Sequence, residues 1–215
     1  MRPFVFCDIM FYMKNTLVLI SGMDFSGKTT TVKEIKALEP DVVIRYRYLS
    51  DIAGNAARQE IVSIRESGND VEKQRYRALA RQSIEYDMKN YKPLNALVIQ
   101  DTLFLLKHYS KRVLENTDHE LIKWLEEQIS LLPKMKSVFL TVGEEERKRR
   151  LDKRISDGER LAKTDKLLIE EPKKFFEIGD LYFKVVLKHF PDTKVIDTTQ
   201  LTPKQVAQEV LDFLR

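Results

Sequence analysis

Cysteine is nearly absent from this 215-residue chain. Cys7 stands alone, which excludes a disulfide framework within the chain and leads us to expect a reducing, cytoplasmic setting. Glycine and proline are scarce, at seven each, and there are no repeats, low-complexity tracts or linkers between units. No apolar run approaches the roughly 20 residues that a membrane-spanning helix needs, so no membrane partner is expected. Neither sign of charge dominates: 37 Lys and Arg stand against 33 Asp and Glu, and a net charge of +4 gives no reason to expect nucleic acid. His108, His119 and His189 are scattered without metal-ligand spacing. Residues 1–12 are apolar, contain Asp8 and lack a small-residue cleavage site, so they read as an N-terminal extension or a mis-called start rather than a signal peptide. What is left, 43% hydrophobic and 33% charged, suits one domain over 13–215 with a sizeable core.

The rest of the chain is organised around Gly22-Met23-Asp24-Phe25-Ser26-Gly27-Lys28-Thr29, followed by Thr30. This fits G-x-x-x-x-G-K-[ST], the phosphate-binding loop. Its flanks have the right character. Thr16 to Ser21 is a β-branched and aliphatic run that reads as a buried strand, and Thr30 to Leu38 places Val32, Ile35 and Leu38 at helical spacing. In that context the two glycines take backbone angles closed to other residues, and successive amides at a helix start face a polyphosphate. Lys28 would then reach the terminal phosphates, and the Thr29 hydroxyl would ligate magnesium. The expected ligand is ATP with Mg²⁺.

Further strands are expected at Val42 to Ile44 and onward into Tyr48, at Ala96 to Gln100, at Ser137 to Val142 and at Lys194 to Asp197. Helices are expected over Val71 to Asn90, Asp118 to Leu132, Glu144 to Arg154, Pro172 to Phe190 and from Pro203 onward, with Thr202 as a cap. The stretch between Arg154 and Asp165 reads as a polar loop. Strands alternating with helices predict an α/β fold with a mostly parallel five-stranded sheet covered on both faces. Ligands of such sheets sit at the carboxyl ends of the strands. The glycine loop and Asp101 both fall there.

Asp101 ends an apolar strand, where a carboxylate can hold magnesium or simply begin a turn. Glu144, Glu145 and Glu146 each precede a cation by four residues, as a self-paired solvated helix would require. Arg150 and Arg154 nonetheless share one face of that helix, and the cations continue to Arg160, as in a mobile segment that brings arginines over phosphates. Arg81 lies between small and apolar residues, so its side chain is expected to be partly buried and to need an anion or a hydrogen-bonding partner. Arg45 and Arg47, at the end of the second strand, should border the same cleft.

These segments together resemble the thymidylate kinase family of P-loop nucleotide and nucleoside kinases, over nearly everything from Met13 onward. Gly22 to Thr30 resembles its G-x-D-x-x-G-K-[ST]-T, Leu79-Ala80-Arg81 its acceptor-contacting helix arginine, Val98 to Asp101 the strand before its Asp-Arg pair, and Arg150 with Arg154 the R-x-x-x-R of its lid. Glu159-Arg160 is similar to the lid's Asp-Arg. The resemblance implies a P-loop kinase three-layer fold with a helical lid, a small acceptor contacted by Asp24, Arg47, Arg81 and Asp101, catalysis by Lys28, Asp101, Arg150, Arg154 and Arg160, and possible homodimers. Thr102 stands where the family has the arginine that grips the acceptor phosphate, and Phe25 where some members have another arginine. The acceptor therefore stays open between a nucleoside monophosphate and a molecule without that phosphate. A catalytically degenerate ATP-binding module that serves a protein partner is the remaining alternative.

Overall fold

A computed structural model describes residues 16–48, 70–91, 94–116, 118–159, 161 and 163–215. Residues 1–12, Met13, Arg160 and Gly54 lie outside the described residues. Five strands form the sheet: β1 Leu17–Gly22, β2 Val43–Tyr46, β3 Val98–Asp101, β4 Lys136–Thr141 and β5 Lys194–Asp197. Their order is β2-β3-β1-β4-β5, and every neighbouring pair is parallel, so the sheet is parallel throughout.

The eight helices among the described residues are α1 Lys28–Leu38, α2 Asp70–Asn90, α3 Phe104–Glu115, α4 His119–Ser130, α5 Glu144–Ser156, α6 Lys163–Glu170, α7 Pro172–His189 and α8 Pro203–Leu214. They cover both faces, because the side chains of each strand alternate. In β1, Leu17 and Leu19 join Phe139, Leu106, Leu125, Phe175 and Tyr182 beneath α3, α4 and α7. Val18 and Ile20 point the other way, into Val32, Ile35, Val206 and Val210 of α1 and α8. Burying each of these aliphatic side chains contributes about 1.5–3 kcal/mol, so a one-residue slip of β1 is strongly disfavoured. No described helix is long and apolar enough to cross a membrane.

One expected loop is partly helical. α6 begins before Asp165, inside the stretch that reads as polar in sequence, because Leu167 and Leu168 pack against the core under α7. Helix α1 also starts two residues earlier than its apolar spacing indicates, since Lys28 and Thr29 belong to the loop motif and carry no apolar signal.

Candidate active site

The loop between β1 and α1 is seated from three sides. Gly22 has φ +138°, and a Cβ there would collide with the Leu140 carbonyl and the Ser26 hydroxyl, so only glycine lets the loop leave β1 beside β4. Below the loop Met23 lies so close to Gly179 of α7 that a Cβ on that glycine would approach the Met23 side chain at 2.9 Å. Phe25 holds φ +66° and Gly27 φ +89°, the latter as the residue preceding α1. No side chain caps α1 and no acidic residue occupies its first turn. Its first amides, which lack intrahelical partners by geometry, are therefore left to a ligand or solvent.

Lys28 is largely buried, with its side chain 10% exposed. Its ammonium donates to the Met23 carbonyl at 2.8 Å and lies 3.8 Å from Asp24. Burial pushes its pKa down to about 8, against the attraction of Asp24 and Asp101. Thr29 donates to Asp101 Oδ2 at 3.2 Å, which joins the start of α1 to the carboxyl end of β3. The other Asp101 oxygen accepts from the Thr102 hydroxyl at 3.2 Å. Thr102 is itself buried, with φ +59°, a costly conformation for a β-branched residue, and its amide is tied to Ile20 of β1.

Two flanks close on this centre. On one, α5 brings Arg147, which donates to the Asp24 carbonyl at 2.6 Å and to the Val142 carbonyl at 3.3 Å between the rings of Phe175 and Phe176. Arg150 donates to the Phe25 carbonyl at 2.8 Å, to the Thr198 carbonyl at 2.9 Å and to Glu146 at 2.8 Å. Arg154 stacks on the Phe25 ring at 4.7 Å and pairs with the buried Asp165 at 3.0 Å and with Glu159 at 3.3 Å. On the other flank, Lys107 of α3 pairs with the Asp24 carboxylate at 3.2 Å.

Solved structures of this architecture include thymidylate kinase from Candida albicans, with a TM-score of 0.60 and 14% identity over 94% of this chain and 91% of that one. Thymidylate kinase from Ehrlichia chaffeensis matches with a TM-score of 0.57 and 15% identity, over 94% and 98%. The chain has a thymidylate kinase-like P-loop kinase fold. Deoxyadenosine kinase from M. mycoides, solved with dCMP and dCDP, shares it at a TM-score of 0.57 and 16% identity, over 93% and 98%. No protein-family model matches the chain, and no curated protein matches it in sequence.

Within this P-loop kinase fold the residues singled out in the sequence separate into three groups. Gly22 to Thr30, Asp101, Arg150 and Arg154 meet around the loop. Arg47 reaches its rim: its amide donates to the Asp101 carbonyl at 2.8 Å, and its carbonyl accepts from Phe104 at 2.7 Å. It lines a small cavity with Ile84, Asp87, Met88, Leu103, Phe104 and Leu105. Arg81 is placed elsewhere. Its guanidinium lies over Trp124 of α4 at 4.6 Å and 3.4 Å from Glu85, and its side chain is half exposed. The expected partly buried Arg81 is thus a helix-surface residue, because Trp124 offers a face for its planar cation. Arg150 is anchored to the carbonyls of Phe25 in the loop and of Thr198 just past β5.

Two cations at the site, Lys107 and Arg147, escape a reading of the sequence. Lys107 has no motif around it. Arg147 could have been found, since it lies four residues before Leu151 on the apolar face of an otherwise charged helix.

The oxygen atoms of Thr29 and Asp101 fit a magnesium site of a particular kind. They are two hard donors 3.2 Å apart, and the described residues contain no cluster of three or more His, Cys, Asp or Glu side chains able to hold a metal. Magnesium suits such a place, because it keeps waters and takes the rest of its ligands from substrate phosphates.

Proposed function

We propose that this chain transfers the γ-phosphoryl group of ATP to a nucleoside monophosphate or a similar small acceptor. The observation that carries this reading is the link from Thr29 to Asp101 beside a largely buried, charged Lys28 at a helix start without a side-chain cap among the described residues. The likeness in fold to nucleotide and nucleoside kinases supports it.

The chain's own part in such a reaction is positioning and charge stabilisation. The first amides of α1 would hold the phosphates of ATP. Lys28, already desolvated, would meet the negative charge that grows on the transferring group and on the departing ADP. Thr29 and Asp101 would hold magnesium, which neutralises phosphate charge when bound. Arg154, stacked on Phe25 and retained by carboxylates, could turn from those partners to the transferring phosphoryl group. Arg150 would do a different job: with both ends of its guanidinium on carbonyls, it holds the loop's shape.

The test is ADP release from ATP and magnesium over a panel of nucleoside monophosphates and nucleosides. Stimulation by a small acceptor separates a kinase from an ATP-hydrolysing protein. Binding of ATP without stimulation by any acceptor would mark a module that has lost catalysis.

A further inference from the structure

The loop between β1 and α1 holds a costly backbone at a bulky residue. Phe25 has φ +66°, in the left-handed region that residues with a large side chain rarely adopt, and it is half-buried. Core packing does not account for it, because Phe25 joins none of the hydrophobic core clusters formed by the described residues. Strain of this kind persists only where the surroundings over-determine it.

Three arginines of α5 do so. Arg147, Arg150 and Arg154 are spaced three and four residues apart, so they share one face of the helix. Arg147 donates to the Asp24 carbonyl at 2.6 Å and Arg150 to the Phe25 carbonyl at 2.8 Å. Those carbonyls belong to the two peptide groups on either side of the Phe25 Cα, so holding both of them holds the left-handed turn between them. The ring that this turn presents meets the third arginine, whose guanidinium lies 4.7 Å from the ring centroid.

The other partners of Arg154 engage it differently. Asp165 and Glu159 lie 3.0 and 3.3 Å from nitrogens at its edge, where a phosphate would also bind. An aromatic ring meets a guanidinium through its face and leaves the edge donors unused. A phosphoryl group at the loop can therefore replace the carboxylates while the ring contact stays in place.

From these contacts we infer that Phe25 is a positioning residue, whose ring seats the Arg154 guanidinium at the loop so that its edge donors can pass from Asp165 and Glu159 to the transferring phosphoryl group. This rests on the kinase reading given above, in which Arg154 meets the charge of that group. Without the ring, the guanidinium is left to the two carboxylates alone.

The experiment measures ADP release at saturating ATP and magnesium for the wild type, Phe25→Leu, Phe25→Tyr, Arg154→Ala and the double variant Phe25→Leu with Arg154→Ala, over the same panel of acceptors. Leucine keeps apolar bulk and the same left-handed penalty, so what it removes is the π face. Phe25→Leu should lower kcat by about 3- to 30-fold, the span of a cation–π contact. KM for ATP and the melting temperature should stay at wild-type levels, and Phe25→Tyr should turn over nearly as wild type does. Added to Arg154→Ala, Phe25→Leu should lower kcat less than about twofold further, because a residue that acts through another has nothing left to position. A merely structural ring would cost the same in both backgrounds. A loss undiminished in the Arg154→Ala background, an equal loss in Phe25→Tyr, or a Phe25→Leu kcat within about twofold of wild type would overturn the inference and leave the kinase reading standing. So would a marked fall in the melting temperature of Phe25→Leu, which would make the ring a part of the fold. Failure of every acceptor to stimulate ADP release by the wild type would remove the kinase reading, and this inference with it.

Discussion

Helix α8 begins with its first turn served by its own chain, whereas α1 begins with nothing of the kind. At α8 the Thr202 hydroxyl accepts from the Gln205 amide at 3.3 Å, the Gln205 side chain accepts from the Thr202 amide at 2.9 Å, and Pro203 removes a donor that would otherwise need a partner. At α1 the preceding residue is glycine, there is no capping side chain, and the nearby Lys28 is buried at a cost. Both helices pack into the same core, through Val32 and Ile35 on one and Val206 and Val210 on the other. Packing therefore does not explain the difference. The α8 start is built for stability; on the proposed reading, the α1 start gives up stability so that amides and an ammonium are available to phosphate.

The largest effect that can sharpen this comparison is at Lys28. Replacing it with alanine or methionine should lower kcat/KM by roughly 10³-fold, as loss of a donor to developing charge does elsewhere. The folded protein should survive, and near neutral pH it should be more stable, because the replacement removes a charge held away from water. Kinetics together with urea unfolding at pH 7 check both halves. An active Lys28→Ala protein would break the comparison at its centre.

Next in size is a pH dependence. The folded-state pKa of Lys28, about 8, lies below the ordinary lysine value of 10.5. Between those values the unfolded chain binds the extra proton, so stability rises with pH. Below about pH 8 both states are protonated and the penalty is constant, at about 3 kcal/mol. Burial raises the pKa of Tyr91, Tyr109 and Tyr182, which works in the opposite sense at higher pH, so the useful window is pH 8–10. Across that window the difference in unfolding free energy between wild type and Lys28→Met should shrink steadily. Saturating ATP should weaken the trend in wild type, since phosphate charge favours the protonated lysine. A difference that stays constant with pH would mean that Lys28 is well solvated.

A smaller effect is expected on the α5 flank. Arg154→Ala should lower kcat by about 10- to 100-fold and leave ATP binding nearly unchanged. Arg150→Ala should lower melting temperature as well as activity, because three partners lose their donor. Equal loss of stability in the two variants would make both of them structural.

The contrast between these two arginines marks the limit of what the sequence reveals. The strand, the glycine loop and the body of α1 were legible because apolar period and glycine spacing are local signals, whereas the start of α1 at Lys28 carries no apolar signal. Asp101 was legible as the residue ending an apolar strand. Arg150 and Arg154 look alike in sequence, since the helical period puts them on one face but is silent on what that face meets. Thr198, which fixes Arg150, lies 48 residues away, past β5. Lys107 meets Asp24 across 83 residues, and only the parallel register of β1 with β3, Ile20 opposite Asp101, brings them together. Arg81 misled for the same reason. Its small and apolar neighbours Ala80 and Leu79 do face a core, but the arginine one step on points to Trp124.

Thr202→Ala supplies the smallest effect and the cleanest control. It removes one hydroxyl acceptor from an exposed helix start, and alanine cannot satisfy the Gln205 amide. The expected loss is about 1 kcal/mol, or roughly 2–4 °C in melting temperature for a protein of this size. On the proposed reading the ligands lie at the loop before α1, so kcat and both KM values should stay at wild-type levels. The two helix starts would then respond in opposite directions. Near neutral pH, loss of Lys28 removes turnover while the fold gains stability, and loss of Thr202 weakens the fold while turnover remains. A Thr202→Ala protein with impaired catalysis would instead show that the start of α8 is coupled to the loop through Thr198 and Arg150, and that the division between structural and ligand-facing helix starts is less sharp than their capping suggests.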